Sequence, residues 1–136
     1  MDCIDEDIPV AGLLSSASLH DSQVAIPLAQ ISVQRITNLY DLMDAAYDSP
    51  SIHKFSHLLG HKSIIDHNLR KTGEKKICDP PEKERYKQRS SVERVFSNLK
   101  GNYGGRMIRV RGHAKVMAHL MFGIIAITAN QLFKTI

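Results

Sequence analysis

The chain has 136 residues, 43% hydrophobic and 24% charged, with no Trp. That is one domain's worth of chain near globular averages, which excludes an intrinsically disordered segment and a collagen-like repeat. The formal charge of +4 conceals an asymmetry: residues 1–68 hold 3 basic and 9 acidic side chains, residues 69–136 hold 15 and 5. A basic second half of that strength points to a polyanionic partner, nucleic acid first; a merely solvated basic face is the plain alternative.

Cys3 and Cys78 are the only cysteines, with neither a CxxC motif nor a secretory leader. This argues against a disulfide scaffold and for a reducing, cytosolic setting. Val116–Phe133 is apolar for nearly the length of a membrane span, but His119, Asn130 and Gln131 interrupt it. A helix buried in a core or a subunit interface is the better expectation, and the chain reads as soluble, with no membrane partner.

In chain order, Ile8–Ser16 (IPVAGLLSS) reads as a short buried strand. Asp21-Ser22 ends a polar stretch as a plausible helix cap, and Ala25–Val33 continues at helical spacing. Asn38–Asp44 (NLYDLMD) reads as a strand carrying Asp44 at its C-terminal tip. Ser49-Pro50 is a strong helix start, Ser as N-cap and Pro at the first helical position; Gly60 should stop that helix. A short strand follows at Ser63–Asp66, then a basic loop at Arg70–Lys76. Asp79-Pro80-Pro81-Glu82 can open a helix running to Lys100, where Gly101 ends it. Asn102–Gly112 should be a mobile basic connection, and His113–Thr135 a long terminal helix. Strand–helix alternation makes the chain α/β.

The segment ERYKQRSSVERVFSNLK carries the chemistry. If it is helical throughout, Tyr86, Arg89, Glu93 and Lys100 share a stripe about 60° wide and about 21 Å long, beside the apolar Val92, Val95, Phe96 and Leu99. One carboxylate, two cations and a phenol suit phosphodiester chemistry: the carboxylate can hold a divalent metal while the cations position phosphates. The bland alternative is an i, i+4 ion pair between Arg89 and Glu93. A capping box over Ser90–Glu93, starting the helix at Ser91, is another.

The spacing Tyr-x2-Arg-x3-Glu-x6-Lys, together with RGHAKV and HLMFG downstream and LYDLMDAAYDSP upstream, resembles the DDE transposases of the bacterial IS4/IS5 insertion-sequence type. That resemblance implies an RNase H-like mixed sheet flanked by helices. It also implies Asp, Asp and Glu carboxylates holding Mg²⁺ or Mn²⁺ for DNA strand cleavage and transfer. By position, Asp44 matches the second Asp and Glu93 the third carboxylate, so both are expected metal ligands. Tyr86, Arg89 and Lys100 match residues that grip transposon-end DNA. Asp41 and Asp48 are weaker candidates, Asp48 more a turn residue. Arg106, Arg109, Arg111 and Lys115 are expected to meet the DNA backbone, with neighbouring glycines allowing close approach. The resemblance implies a bacterial, nucleoid-associated setting.

No residue matches the family's first catalytic Asp or its N-terminal DNA-binding region. The expectation is therefore a partial catalytic domain over residues 1–136, N-terminally truncated and inactive alone. Its exposed sheet edge should favour self-association. A non-catalytic DNA-binding or regulatory remnant that interferes with full-length transposase is the rival. His53, His57 and His61, four apart, could face one way for Zn²⁺, but Gly60 should end the helix first, leaving ordinary surface histidines. His20-Asp21 lacks a nucleophile at a recognisable spacing.

Overall fold

Described in a computed structural model over residues 1–4, 7–66 and 79–136, the chain forms two compact units. The first comprises Met1–Leu14 and Ser90–Ile136, the second Ser15–Arg89. Parallel and antiparallel pairing, flanking helices and a long terminal helix agree with the expected α/β class.

In the first unit, β1 (Asp2–Ile4) pairs antiparallel with β2 (Ile8–Ala11). The sequence led us to expect a strand to Ser16; it stops at Ala11 because β1 supplies only three residues to pair with. Asp7, just before β2, has φ of +60°, a conformation that Asp tolerates better than most residues. Two helices complete the unit: α4 (Ser90–Asn102) and α5 (His113–Thr135). Val95 and Leu99 of α4 and Ile127 of α5 are fully buried together, with Met1, Cys3, Tyr103, Leu120 and Ile124 packed around them. The approach is close because α5 carries Gly123 at the contact: a Cβ there would lie 2.6 Å from Leu99 Cδ1 and 2.8 Å from the Tyr103 carbonyl oxygen.

In the second unit, α1 (Asp21–Ser32) is capped by His20, whose Nδ1 accepts from the Ser22 N–H, and not by the Asp21-Ser22 pair. Strand β3 (Tyr40–Met43) pairs in parallel with β4 (Lys62–Ile65) in the register Asp41↔Ser63 and Leu42↔Ile64. The intervening α2 (Pro50–Leu58) starts as the sequence dictates, Ser49 Oγ accepting from the Ile52 N–H and Pro50 at the first turn. It ends in a Schellman motif: the Gly60 N–H reaches His57 O, the His61 N–H reaches Ser56 O, and Gly60 adopts φ of +77°. Helix α3 (Pro80–Tyr86) is seated by Arg85 over the Tyr40 ring at 4.5 Å and by Glu82 against Lys62 Nζ at 2.5 Å.

The expected continuous helix from residue 79 to 100 is broken. Residues Lys87–Arg89 form a 3₁₀ turn between α3 and α4. The tighter winding advances each residue by about 120° instead of about 100°, so the stripe loses its phase there. The expected basic loop at 70–76 lies outside the described residues, as does Cys78.

Candidate nucleic-acid and metal site

Asp44 stands at the C-terminal tip of β3, as the sequence reading placed it. Its Oδ1 caps a 3₁₀ turn (Ala45–Tyr47) by accepting the Ala46 N–H at 2.9 Å, leaving Oδ2 outside that bond. Beside it, burial first and the carboxylates of Asp21 and Asp44 second push the Tyr47 phenol above its ordinary range, so Tyr47 is neutral at physiological pH. The tip is held by an internal network that the sequence reading missed. Asp41, three residues earlier, accepts from Ser56 Oγ at 2.5 Å and Asn38 Nδ2 at 2.8 Å, and its Oδ1 lies 3.1 Å from His61 Nδ1. These groups come from β3 and its approach, α2 and the turn after α2, so one half-buried carboxylate ties three elements together. Asp41 is therefore a structural anchor for the strand that carries Asp44.

The histidines do not form a metal cluster. His61 is delivered to Asp41 by the turn at Gly60 and has a side chain only 7% exposed, so it is not the surface residue expected. His53 bridges Asp48 Oδ1 at 3.0 Å and Ser63 Oγ at 2.8 Å, giving Asp48 a structural partner. Among the described residues, no three His, Cys, Asp or Glu side chains gather within reach of one ion. Asp44 and Glu93 do present hard carboxylate oxygens, the donor type that Mg²⁺ and Mn²⁺ require.

The four motif residues divide between the units. In the second, Tyr86 is half-buried at the end of α3, with the Arg89 guanidinium 5.5 Å from its ring centroid. In the first, Glu93 and Lys100 share one exposed face of α4, two turns and about 10.5 Å apart along the axis. That face is open because the covered side of α4 is the Ser91, Val95 and Leu99 row; Phe96, expected in the core, is 39% exposed. Ser91 Oγ donates to Asp7 Oδ1 at 2.7 Å, and Ser90 Oγ accepts from Arg94 at 2.6 Å.

Asp7 closes a second knot absent from the sequence reading. The Arg94 guanidinium donates to it through Nε and Nη2, the latter at 2.7 Å. Those bonds, with help from Ser91, hold the Asp7 carboxyl below its ordinary range, while the same contact raises Arg94. Eighty-seven residues separate the partners, so no local pattern could have revealed them.

Arg106, Arg109, Arg111 and Lys115 are all exposed on the stretch that leaves α4 and enters α5. No acidic residue follows Glu93, while Arg94, Lys100, these four and Lys134 do. The stretch is pinned at both ends: the Gly105 N–H reaches Leu99 O at 2.9 Å, His119 Nε2 lies 3.0 Å from Gly104 O, and His113 Nε2 lies 3.2 Å from Leu14 O. Gly104 and Gly112 turn the chain with φ of +75° and +91°. The result is a short basic ribbon held away from the unit's core, able to approach a phosphate backbone.

No protein of established function and no solved structure matches the chain. A family model does: residues 5–129 match the family described as the Transposase DDE domain. Since that match spans nearly the whole chain, the protein belongs to the transposase DDE domain family.

Proposed function

We propose that this transposase domain is of the IS4/IS5 type and acts on insertion-sequence ends. Asp44 and Glu93 supply metal-ligating carboxylates, and Tyr86, Arg89, Lys100, Arg106, Arg109, Arg111 and Lys115 engage the DNA. The observation that carries the DNA reading is the exposed ribbon from Arg106 to Lys115, cationic and without an acidic neighbour in sequence. Asp44 and Glu93 would hold Mg²⁺ or Mn²⁺, and a divalent ion bound there would supply Lewis-acid activation for attack on a phosphodiester. The chain's own contribution to that chemistry is twofold. Asp44, fixed by its cap and by the Asp41 network, offers Oδ2 from a rigid strand tip. Glu93 offers an exposed carboxylate from the first turn of α4, where the helix dipole favours negative charge.

A pair of hard divalent cations would need more oxygen ligands than Asp44 and Glu93 alone supply. The residues present match two of the family's three, so these 136 residues bind element ends without cutting them. That outcome also serves the regulatory alternative, in which the polypeptide competes with full-length transposase for DNA.

The test combines filter binding to a transposon-end duplex with a Mg²⁺-dependent nicking assay. If all four ribbon cations contact phosphates, log K should fall with log salt at a slope of about −3.6, and Arg109→Ala with Arg111→Ala should flatten it by about 2. Absence of binding at low salt overturns the DNA reading. Nicking that disappears on Glu93→Ala overturns the proposed inactivity while supporting the metal role.

A further inference from the structure

The sequence led us to expect the apolar run of α5 inside a core or a subunit interface, with no membrane partner. Its own unit covers only one side of that run. Leu120, Gly123, Ile124 and Ile127 face Val95, Leu99 and Tyr103. On the far side, about 180° around the axis, stand Ala118, Phe122, Ile125, Ala129, Leu132 and Phe133, every one exposed. Phe122, Ile125 and Phe133 are 73%, 59% and 79% exposed, and only 11% of the most apolar stretch of the helix is buried. Polar groups keep off this side: Asn130 and Gln131 project more than about 100° from its centre line, and Thr128 Oγ donates back to Ile124 O at 2.9 Å. Cations crowd one end of it. Arg109, Arg111 and Lys115 are exposed on the approach to α5 and its first turn, with Met107 65% exposed beside them. Lys115 lies almost in line with Phe122, two turns further along.

We propose that this surface is a peripheral docking site for an anionic lipid bilayer. Helix α5 lies along the boundary between headgroups and acyl chains, and the cations at its N-terminal end meet the lipid phosphates. Charge complementarity selects this occupant. Reversible attachment to an anionic leaflet draws on two contributions, buried apolar surface and a basic patch, and this side of the unit supplies both. A second copy carries the same positive end and offers these cations no counter-charge. An acidic soluble partner answers the cations but gives Phe122, Ile125 and Phe133 no apolar counterpart. No acidic residue follows Glu93, so nothing in α5 or the ribbon before it repels a negative surface.

The mode is attachment, not crossing, although α5 is long and apolar enough to span, with mean hydropathy 1.6. Spanning would strip Gly123 and Ile127 from their contact with α4. A helix lying flat sinks about 5–10 Å, roughly its own radius, so the side packed on α4 stays in place. The inference shares Arg109 and Arg111 with the DNA reading but does not rest on it. Lipid phosphates and DNA phosphates become rivals for the same guanidinium groups.

Vesicle flotation of the full chain tests it, with phosphatidylcholine alone and with equal parts phosphatidylcholine and phosphatidylserine, at low and high salt. The protein should float with the anionic vesicles at low salt, float less at high salt, and stay behind with the neutral ones. Alkaline carbonate should release it. Arg109→Ala with Arg111→Ala should lower partitioning about 25-fold, at about fivefold per cation near the surface. Phe122→Ser with Phe133→Ser should lower it at least about tenfold, while filter binding to duplex DNA stays unchanged. Should the second pair prevent folding, Ile125→Cys in a Cys78→Ser chain carries an environment-sensitive fluorophore instead. Its emission should shift to the blue on anionic vesicles only. No flotation with anionic vesicles, equal flotation with neutral ones, or retention after carbonate overturns the proposal. So does undiminished flotation of the folded Phe122→Ser, Phe133→Ser chain, or a label already blue in solution and unmoved by lipid, as a second copy would make it. Flotation as expected without any binding to DNA would sink the DNA reading alone.

Discussion

Replacing Gly123 by Ala sets two familiar effects against each other, and the geometry decides between them. In the interior of a helix, Gly→Ala gains about 1 kcal/mol from reduced backbone freedom. At Gly123 the new methyl would lie 2.6 Å from Leu99 Cδ1 and 2.8 Å from the Tyr103 carbonyl oxygen. Leu99 is 4% exposed, and the Tyr103 oxygen belongs to the backbone. Overpacking of this kind costs about 1–3 kcal/mol, and more where backbone must shift. The expected net effect is a loss of about 1–2 kcal/mol. Gly101→Ala is the internal control: it makes the same chemical change within α4, but its Cβ meets nothing within 4 Å. It should gain a few tenths to about 1 kcal/mol, less than mid-helix because it lies near the helix end. The two variants should therefore differ by about 2 kcal/mol, or roughly 6–10 °C in Tm for a chain of this length. The chain has no Trp, so urea or thermal unfolding is best followed by far-ultraviolet dichroism. A Gly123→Ala chain as stable as wild type or more so would refute the close α4–α5 approach.

Other substitutions test the two carboxylate knots and the thiol. The Asp7 carboxyl is held below its unfolded value of 3.8, so its contribution is complete above that pH and disappears as pH falls through the depressed folded value. Asp7→Asn, which keeps the tolerated positive φ, should flatten acid unfolding in that window; an unchanged acid limb would contradict the Arg94 pairing. Ser56→Ala removes the donor 2.5 Å from Asp41 at a site 2% exposed, and should cost about 1.5–3 kcal/mol in urea unfolding; a neutral result would show that the Asp41 network holds nothing together. Burial, reinforced by Asp2, pushes the Cys3 thiol up to about 12, so in a Cys78→Ser chain iodoacetamide should label Cys3 at pH 8 only in denaturant. Mass spectrometry reads the label, and rapid modification of the native chain would count against this packing.

What could be read from the sequence was whatever is decided locally. Ser49-Pro50 and Gly60 bound α2 because capping and left-handed turns depend on residues within one helical turn. Helix α5 spans His113–Thr135, the bounds expected for the terminal helix. Asp44 was placed at a strand tip because the apolar Leu42-Met43 pair before it and the turn after it are adjacent in sequence. The 3₁₀ break at Lys87–Arg89 escaped notice because nothing in KQR forbids a helix, and the phase error it introduces matters only for a stripe drawn across it. Strand β1 was missed because three residues carry no periodicity. The Asp7–Arg94 and Asp41–His61 contacts join residues 87 and 20 positions apart, and only tertiary structure brings them together. Within the candidate site, residue types and spacings were legible, whereas the anchoring of Asp44 through Asp41 was not.

These anchors have a consequence for how binding and stability are divided in the first unit. The ribbon from Arg106 to Arg111 leaves the core at Gly105, whose N–H is bound by Leu99 O, and returns at Gly112 and His113. Between those points the three arginines are exposed and Met107 is 65% exposed, whereas Ile108 and Val110, at 38%, keep most of their surface covered. Substitutions of those arginines should then change nucleic-acid affinity with little change in unfolding free energy, since exposed side chains away from caps and cores usually move stability by under about 0.5 kcal/mol. Substitutions at its anchors do the reverse. A Cβ at Gly105 would meet the Leu99 carbonyl oxygen at 2.9 Å, and at Gly104 it would meet His119 Nε2 at 3.2 Å in a backbone conformation that side chains resist. The same core row that buries Leu99 also fixes Lys100, the next residue, on the exposed face of α4 that carries Glu93. A basic surface is thus carried by residues the fold does not need, on a frame set by residues that never touch the ligand.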